Sequence, residues 1–402
     1  MKKSSLRPSC PINGLNHSQD IADLFAAKYK DLYNSVPPDP NCMDRIIKSM
    51  QASLDTCDIQ QTFISYECVK AAISKLKHEK SDGESGYISS HLMYASDMYH
   101  KEIAKMLTSM FVHGYHPDLL VSATIISIPK DLKGNLASDT NYRGIALSSS
   151  ISKVFDIIFM TRNSDLLHTS QLQFAFKPKH STTMCTTVLK EVLRHYRINK
   201  SDVYSCLLDA SKAFDLIKHD KLFQLLQDRK IPALDLRMII NQYKCQKIIT
   251  FWQDYCSDYF IAHNGIRQGS IASPILFNVH MDELLHKLES SGIGCWVGNR
   301  YYGVIAYADD VTLISPTVNG LQKMLTICEQ FGKEYHMQFN TLKTVSIKFG
   351  SKKPDNKVVK LSGNELHWQT HAKHLGVYLA ASMDEQMEIT RKKGDFIGRV
   401  RA

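Results

Sequence analysis

The sequence predicts an α+β fold in which a split βαβ antiparallel sheet carries helices packed on one face. Two observations lead there. From Val121 onward β-rich runs alternate with helical ones, and the series closes on a short hairpin whose tip holds two adjacent acids, Asp309 and Asp310. No internal repeat interrupts it.

Taken in order, Ile21–Tyr33 repeats its apolar positions every three and four residues, the period of a helix with one buried face. Pro37-Pro38-Asp39-Pro40 breaks it. A second helix is expected over Cys68–Lys80, ended by Ser81-Asp82-Gly83-Glu84-Ser85-Gly86, and a third near Ser89–Met110. Residues 1–65 therefore read as an N-terminal helical extension and 66–109 as a second helical region. Beyond Val121, strands are expected at Ala123–Ile128, Val203–Leu208 and Gln246–Trp252, and helices at Ser149–Leu167, Lys212–Gln227 and Pro274–Leu288. Ser273-Pro274 has the residue types that start a helix. Phe331–Phe349 continues the sheet, and Lys343, Lys348, Lys352, Lys353, Lys357 and Lys360 form a basic run there, either a solvated face or a strip under a nucleic-acid duplex.

The chemistry concentrates on Tyr307-Ala308-Asp309-Asp310, which lies between Gly303-Val304-Ile305-Ala306 and Val311-Thr312-Leu313-Ile314. Paired acids at a hairpin tip repel unless a cation neutralises them, and Mg²⁺ suits such hard oxygen donors. The alternative is a solvated acidic turn. A second acid of matching design, Asp209, ends the Val203–Leu208 run and precedes Ala210-Ser211-Lys212-Ala213-Phe214-Asp215. Acids on two neighbouring strands can hold two Mg²⁺ about 4 Å apart for nucleotidyl transfer.

With 402 residues, 44% hydrophobic and 22% charged, the chain can bury a substantial core as more than one subdomain. A formal net charge of +9 favours a polyanionic partner, though a merely basic protein has the same charge. The ten cysteines include no CxxC pair and no Cys/His cluster spaced for zinc, so reduced core thiols are expected. Met1-Lys2-Lys3-Ser4-Ser5-Leu6-Arg7-Pro8 lacks a secretory apolar stretch, and no run approaches the roughly 20 apolar residues of a membrane span. An intracellular place, nuclear or cytoplasmic, with no membrane partner is the expectation.

Seven ordered blocks carry a family resemblance. They are Ile126-Ser127-Ile128-Pro129-Lys130 with Asn141-Tyr142-Arg143-Gly144-Ile145, then Gln173 to Thr182, then Asp209 to Asp215. Gly265-Ile266-Arg267-Gln268-Gly269-Ser270 with Ser273 to Phe277 follows, then Tyr307 to Asp310, Asn340-Thr341-Leu342-Lys343-Thr344, and His374-Leu375-Gly376-Val377-Tyr378-Leu379. In this order they resemble the reverse transcriptases of non-LTR (LINE-type) retrotransposons.

The resemblance implies the fingers and palm of a right-hand polymerase over residues 110–380, with 381–402 as the truncated start of a thumb. It implies RNA-templated DNA synthesis with two Mg²⁺ ions, or Mn²⁺ in their place, on an RNA template, a DNA primer and dNTP. Asp209, Asp309 and Asp310 take the metal and catalytic roles, with the Ala210 carbonyl as a further ligand. Phe214 would lie beneath the incoming sugar and disfavour a 2′-hydroxyl. Lys130 and Arg143 would meet the triphosphate, Gln268 the nucleotide, Lys343 the leaving pyrophosphate, and Leu375-Gly376 the primer end. Plain structural roles remain open for each. Asp215 is expected to organise a helix start and His219 to make a packing hydrogen bond.

An upstream endonuclease has no room in this chain and a full thumb does not fit after Ala380, so weak template-primer binding and poor extension by a fragment or decayed copy are expected. The competing readings are a noncatalytic nucleic-acid-binding remnant, and a group II intron maturase or telomerase-like relative. Protein partners are not indicated.

Overall fold

The computed structural model describes residues 11–81, 86–244, 246–350, 357–384, 389–394 and 396. Outside them lie the N-terminal residues 1–10, Asp82 to Ser85 of the glycine turn, Cys245, Lys352 and Lys353 of the basic run, and half of the tail expected to begin a thumb. The chain divides into two compact units, Met1–His168 with Phe214–Leu276, and Thr169–Ala213 with Phe277–Ala402.

In the first unit the helix Ser18–Tyr33 buries Ile21, Ala22, Phe25, Tyr29 and Tyr33 along one face. That face packs on a sheet in which Ala123–Pro129 lies between Tyr142–Ser148, antiparallel, and Lys247–Trp252, parallel. Phe25 anchors the contact, with its ring centroid 5.3 Å from those of both Tyr142 and Trp252. The proline cluster that stops this helix also starts another, Pro40–Leu54, because Asp39 accepts a hydrogen bond from Asn41 N and Pro40 needs no donor in the first turn. The next helix, Tyr66–Ser74, is shorter than its apolar pattern. The expected Ser89–Met110 helix is two, Ser89–Met93 and Asp97–His113, divided where Ser96 accepts from Tyr99 N as a new N-cap.

The helix expected from Lys212 begins only at His219. Lys212 has a left-handed backbone, φ 51°. The carbonyls of Phe214 and Ile217 accept hydrogen bonds from Ile266 N and Gly265 N at 2.9 and 2.8 Å, so they are committed to a neighbouring segment rather than to a helical turn.

The second unit is built on a sheet of order Val304–Tyr307, Asp310–Ser315, Val203–Leu208, Val345–Phe349, Trp368–Gln369. The first four strands are antiparallel. They are linked through Ser273–Ser290, whose first residues belong to the other unit, and Val318–Tyr335. Strand, helix, hairpin, helix, strand is the split βαβ arrangement that the sequence predicts. The two linking helices pack together, His280 lying edge-on to Phe331 and Tyr335.

The opposite face is covered as well. There Leu207, Ile305, Ile314 and Ile347 join Cys185, Leu189, Val192 and Leu193 of the helix Thr182–Ile198, and Ala372 and Leu379 of the hairpin His371–His374/Val377–Ala380. Cover on both faces leaves all six residues of Val203–Leu208 buried. Cys42, Cys185, Cys206, Cys295 and Cys328 are buried and undisulfided, whereas Cys68 and Cys256 are exposed, so the core placement expected of the thiols holds for only part of them. Among the described residues no helix is long and apolar enough to cross a membrane.

Candidate active site

Val311 pairs with Leu208 in the antiparallel ladder between the two central strands. Continuing that register by one step sets Asp209 opposite Asp310, and directly opposed residues of an antiparallel pair share a face. Asp309 sits beside them at the hairpin tip, where Tyr307 pairs with Asp310 across a two-residue turn. Three acids from two stretches of chain thus meet at one end of the sheet.

Their electrostatics record the meeting. Burial raises the Asp309 carboxyl above the usual carboxylate range, opposed by its own backbone N–H and reinforced by the negative charge of Asp209. Asp310 is pushed up to about 6, first by burial and then by Asp309 and Asp209. Among the described residues no three His, Cys, Asp or Glu side chains gather closely enough to form a ready metal shell. The donor set is nevertheless hard carboxylate oxygen carrying excess negative charge, which suits Mg²⁺ or Mn²⁺.

The turn is held by a residue to which the sequence reading gave no role. Ala308 has φ 55°, an uncommon conformation for a residue with a Cβ. Gln173, fully buried, donates from Nε2 to the Ala308 carbonyl at 3.2 Å and accepts at Oε1 from Ala308 N at 2.8 Å and Ala175 N at 3.0 Å. Backbone bonds join the same segments, Phe174 N to Ala306 O and Ala306 N to Leu172 O, each 2.8 Å. The stretch 172–174 is in effect an extra edge strand against the hairpin.

Asp209 is fixed by the loop that carries Lys343. Its carbonyl accepts from Asn340 N at 2.8 Å, and its N–H donates to Thr344 Oγ1 at 3.4 Å. Asn340 shapes the loop, its side-chain oxygen accepting from Leu342 N and Lys343 N at 3.0 and 3.3 Å. Lys343 Nζ then stands 3.8 Å from Asp209 Oδ2. Ala210 is buried and pairs with Phe339 in a short bridge. Asn340 and Thr344 were legible only as members of a matched block.

Lys130, Arg143, Phe214 and Gln268 belong to the first unit. Arg143 is exposed on its strand, opposite Ile128. Its neighbour Gly144 has no room for a side chain, since a Cβ would meet Ile125 and the Tyr29 ring. Lys130 is exposed and donates from Nζ to the Thr140 carbonyl at 2.8 Å. Phe214 is half-buried in a loop, not on a helix.

Gln268 donates from its amide to Asp215 Oδ1 at 2.8 Å, and its carbonyl accepts from Ala146 N at 2.7 Å. Gly269 (φ 125°) presses so closely on the Ala146 carbonyl that no side chain fits. Asp215 also accepts from Tyr33 Oη at 3.1 Å, and it lies four residues before the helix whose start it was expected to organise. His219 does make a packing hydrogen bond, donating from Nε2 to the Gly265 carbonyl at 2.8 Å. Burial pushes its pKa down to about 4.

Residues 128–379 match the family model described as reverse transcriptase (RNA-dependent DNA polymerase). The chain is 31% identical over 237 residues to a retrovirus-related Pol polyprotein from the type-2 retrotransposable element R2DM of Drosophila melanogaster, covering 58% of this chain and 22% of that protein. It is 24% identical over 348 residues to the RNA-directed DNA polymerase from the mobile element jockey of Drosophila funebris, covering 84% of this chain and 37% of that protein. The chain thus spans well under half the length of these relatives. A solved telomerase from Candida tropicalis in complex with a TWJ fragment of telomeric RNA has a TM-score of 0.46 at 12% identity over 77% of this chain and 51% of that one. With its matched region extending over well more than half of its residues, the chain belongs to the reverse transcriptase (RNA-dependent DNA polymerase) family.

Proposed function

We propose that this chain carries the RNA-directed DNA polymerase centre of a non-LTR retrotransposon protein, copying an RNA template by extending a DNA primer with dNTPs. The meeting of Asp209 with Asp309 and Asp310 at one end of the sheet supports the reading most directly. The primer 3′-hydroxyl attacks the α-phosphorus, the bond to the β-phosphate oxygen breaks, and pyrophosphate leaves without a covalent enzyme intermediate.

Asp209, Asp309 and Asp310 would hold two Mg²⁺, with the Ala210 carbonyl as an added ligand; when bound, such ions activate the hydroxyl and neutralise the departing pyrophosphate. The raised pKa of Asp310 fits this role, because a bound cation would offset both the burial that chiefly raises it and the added repulsion of Asp309 and Asp209. Lys343, beside Asp209, neutralises or protonates the leaving group. Lys130 and Arg143 spread triphosphate charge, Arg143 by bidentate hydrogen bonding. Gln268, whose amide is held by Asp215, touches the nucleotide. The Leu375-Gly376 turn receives the primer end.

Extension of oligo(dT) on poly(rA) with Mg²⁺ tests the assignment. Wild type should incorporate dTMP and Asp309→Asn should lose on the order of a hundredfold or more, while both bind template-primer alike. Equal incorporation by the two rejects the site.

A further inference from the structure

The hairpin His371–His374/Val377–Ala380 turns through Leu375 (φ 47°) and Gly376 (φ 81°), a two-residue turn with both residues left-handed. It lies on the sheet face that carries Leu207 and Ile305, where Ala372 and Leu379 join the apolar cluster. A polar contact is buried in this seam. Thr312 Oγ1 and His374 Nε2 are hydrogen-bonded at 3.0 Å, with the two residues only 1% and 7% exposed.

The position of this bond matters more than its strength. Thr312 is two residues along the strand from Asp310, so its side chain shares the Asp310 face about 7 Å away. His374 immediately precedes the Leu375-Gly376 turn. Apolar packing fixes depth but allows sliding; a single directional bond between the two elements fixes register. Burial pushes the His374 pKa down to about 4, so the ring is neutral at physiological pH and brings no charge to the carboxylates.

We infer that the His374–Thr312 hydrogen bond positions the primer end relative to Asp209, Asp309 and Asp310, making both residues positioning residues for the transfer step. The inference rests on the polymerase reading and on the turn as the primer's seat. The hairpin is locked to the strand that carries Asp310, so the attacking hydroxyl and the carboxylates move as one body. Displacement of reacting atoms by about 1 Å can lower a rate about 100-fold without weakening substrate binding.

The test compares Thr312→Val, Thr312→Ser, His374→Phe and the Thr312→Val/His374→Phe double variant in the full chain, by single-turnover incorporation on poly(rA)/oligo(dT). Thr312→Val keeps the shape and removes the bond; the expected result is a 10- to 100-fold lower rate with template-primer affinity within about twofold. Thr312→Ser restores the rate, and the double variant loses no more than the worse single one. Amide exchange over residues 371–380 should rise in Thr312→Val. An unchanged rate, a loss confined to template-primer affinity, or additive losses overturn the inference while the wild type still polymerises. A wild type that incorporates nothing under any divalent cation instead sinks the polymerase reading and this inference with it.

Discussion

Gln173 holds Ala308 at both ends of its peptide environment, one side-chain amide accepting from the Ala308 N–H and donating to the Ala308 carbonyl. The residue before the Asp309/Asp310 pair is therefore kept left-handed by a fully buried partner more than a hundred residues away in sequence. Each group that Gln173 satisfies would cost roughly 1–3 kcal/mol if left buried and unpaired. Gln173→Ala should lower unfolding free energy by about 2–4 kcal/mol in urea titration and reduce incorporation. Ala308→Gly should be tolerated, since glycine removes a strain of about 1 kcal/mol at positive φ, whereas β-branched Ala308→Val should be worse than either. A Gln173→Ala protein as stable as wild type would show the clamp to be idle.

A second prediction concerns pH. The Asp310 carboxyl titrates near 6 in the folded protein, above its ordinary value of 3.8. Because the folded-state value is the higher one, the ionised form is disfavoured by folding, and this penalty is complete above pH 6. As pH falls from 6 toward 4 the folded protein takes up the proton first, and stability at this site rises. In metal-free buffer Asp310→Asn should therefore raise Tm at pH 7.5 and change it little at pH 4.5. Mg²⁺ should raise the wild-type Tm at pH 7.5 more than that of Asp310→Asn. Equal Tm gains for Asp310→Asn at both pH values would contradict the origin assigned to the shift.

The legible parts of this molecule were those in which local pattern and tertiary role coincide. Val203–Leu208 and the runs flanking Asp309 and Asp310 form strands where their apolar sequence says, because the sheet buries them on both faces. The Lys212–His219 stretch misled, since its helical spacing is real but Phe214 and Ile217 have their carbonyls bonded by residues some fifty positions later. No window of local sequence contains that information. Gln173 was hidden for the same reason: a buried glutamine reads as a polar interruption until the turn that it holds is seen. Asn340 through its N–H and Thr344 through its hydroxyl bond the backbone of Asp209, contacts that leave no trace in side-chain periodicity.

Lys343 allows structure and chemistry to be separated. Its side chain is 68% exposed and its ammonium lies 3.8 Å from Asp209, so the pair is a solvated one that contributes little to stability. Lys343→Ala should leave Tm unchanged. If the ammonium serves the leaving pyrophosphate, incorporation should still fall about 10²-fold or more at saturating dNTP, the range of a lost general acid. An undiminished rate would return Lys343 to the basic surface.

Phe214 offers the sharpest test of substrate choice. It lies five residues after Asp209 in a loop whose path is set by the bond from Ile266 N to its carbonyl, so a smaller side chain leaves the backbone where it is. If the ring blocks a 2′-hydroxyl, Phe214→Val should admit rNTPs, and the ratio of kcat/KM for dTTP to that for UTP should drop by about 10- to 100-fold, chiefly through faster UTP use. Loss of a merely packing aromatic would instead lower both values together and leave the ratio where it was. The ratio, rather than either rate, decides the matter, because a destabilised loop affects both nucleotides whereas a steric gate affects only the one that carries the extra oxygen.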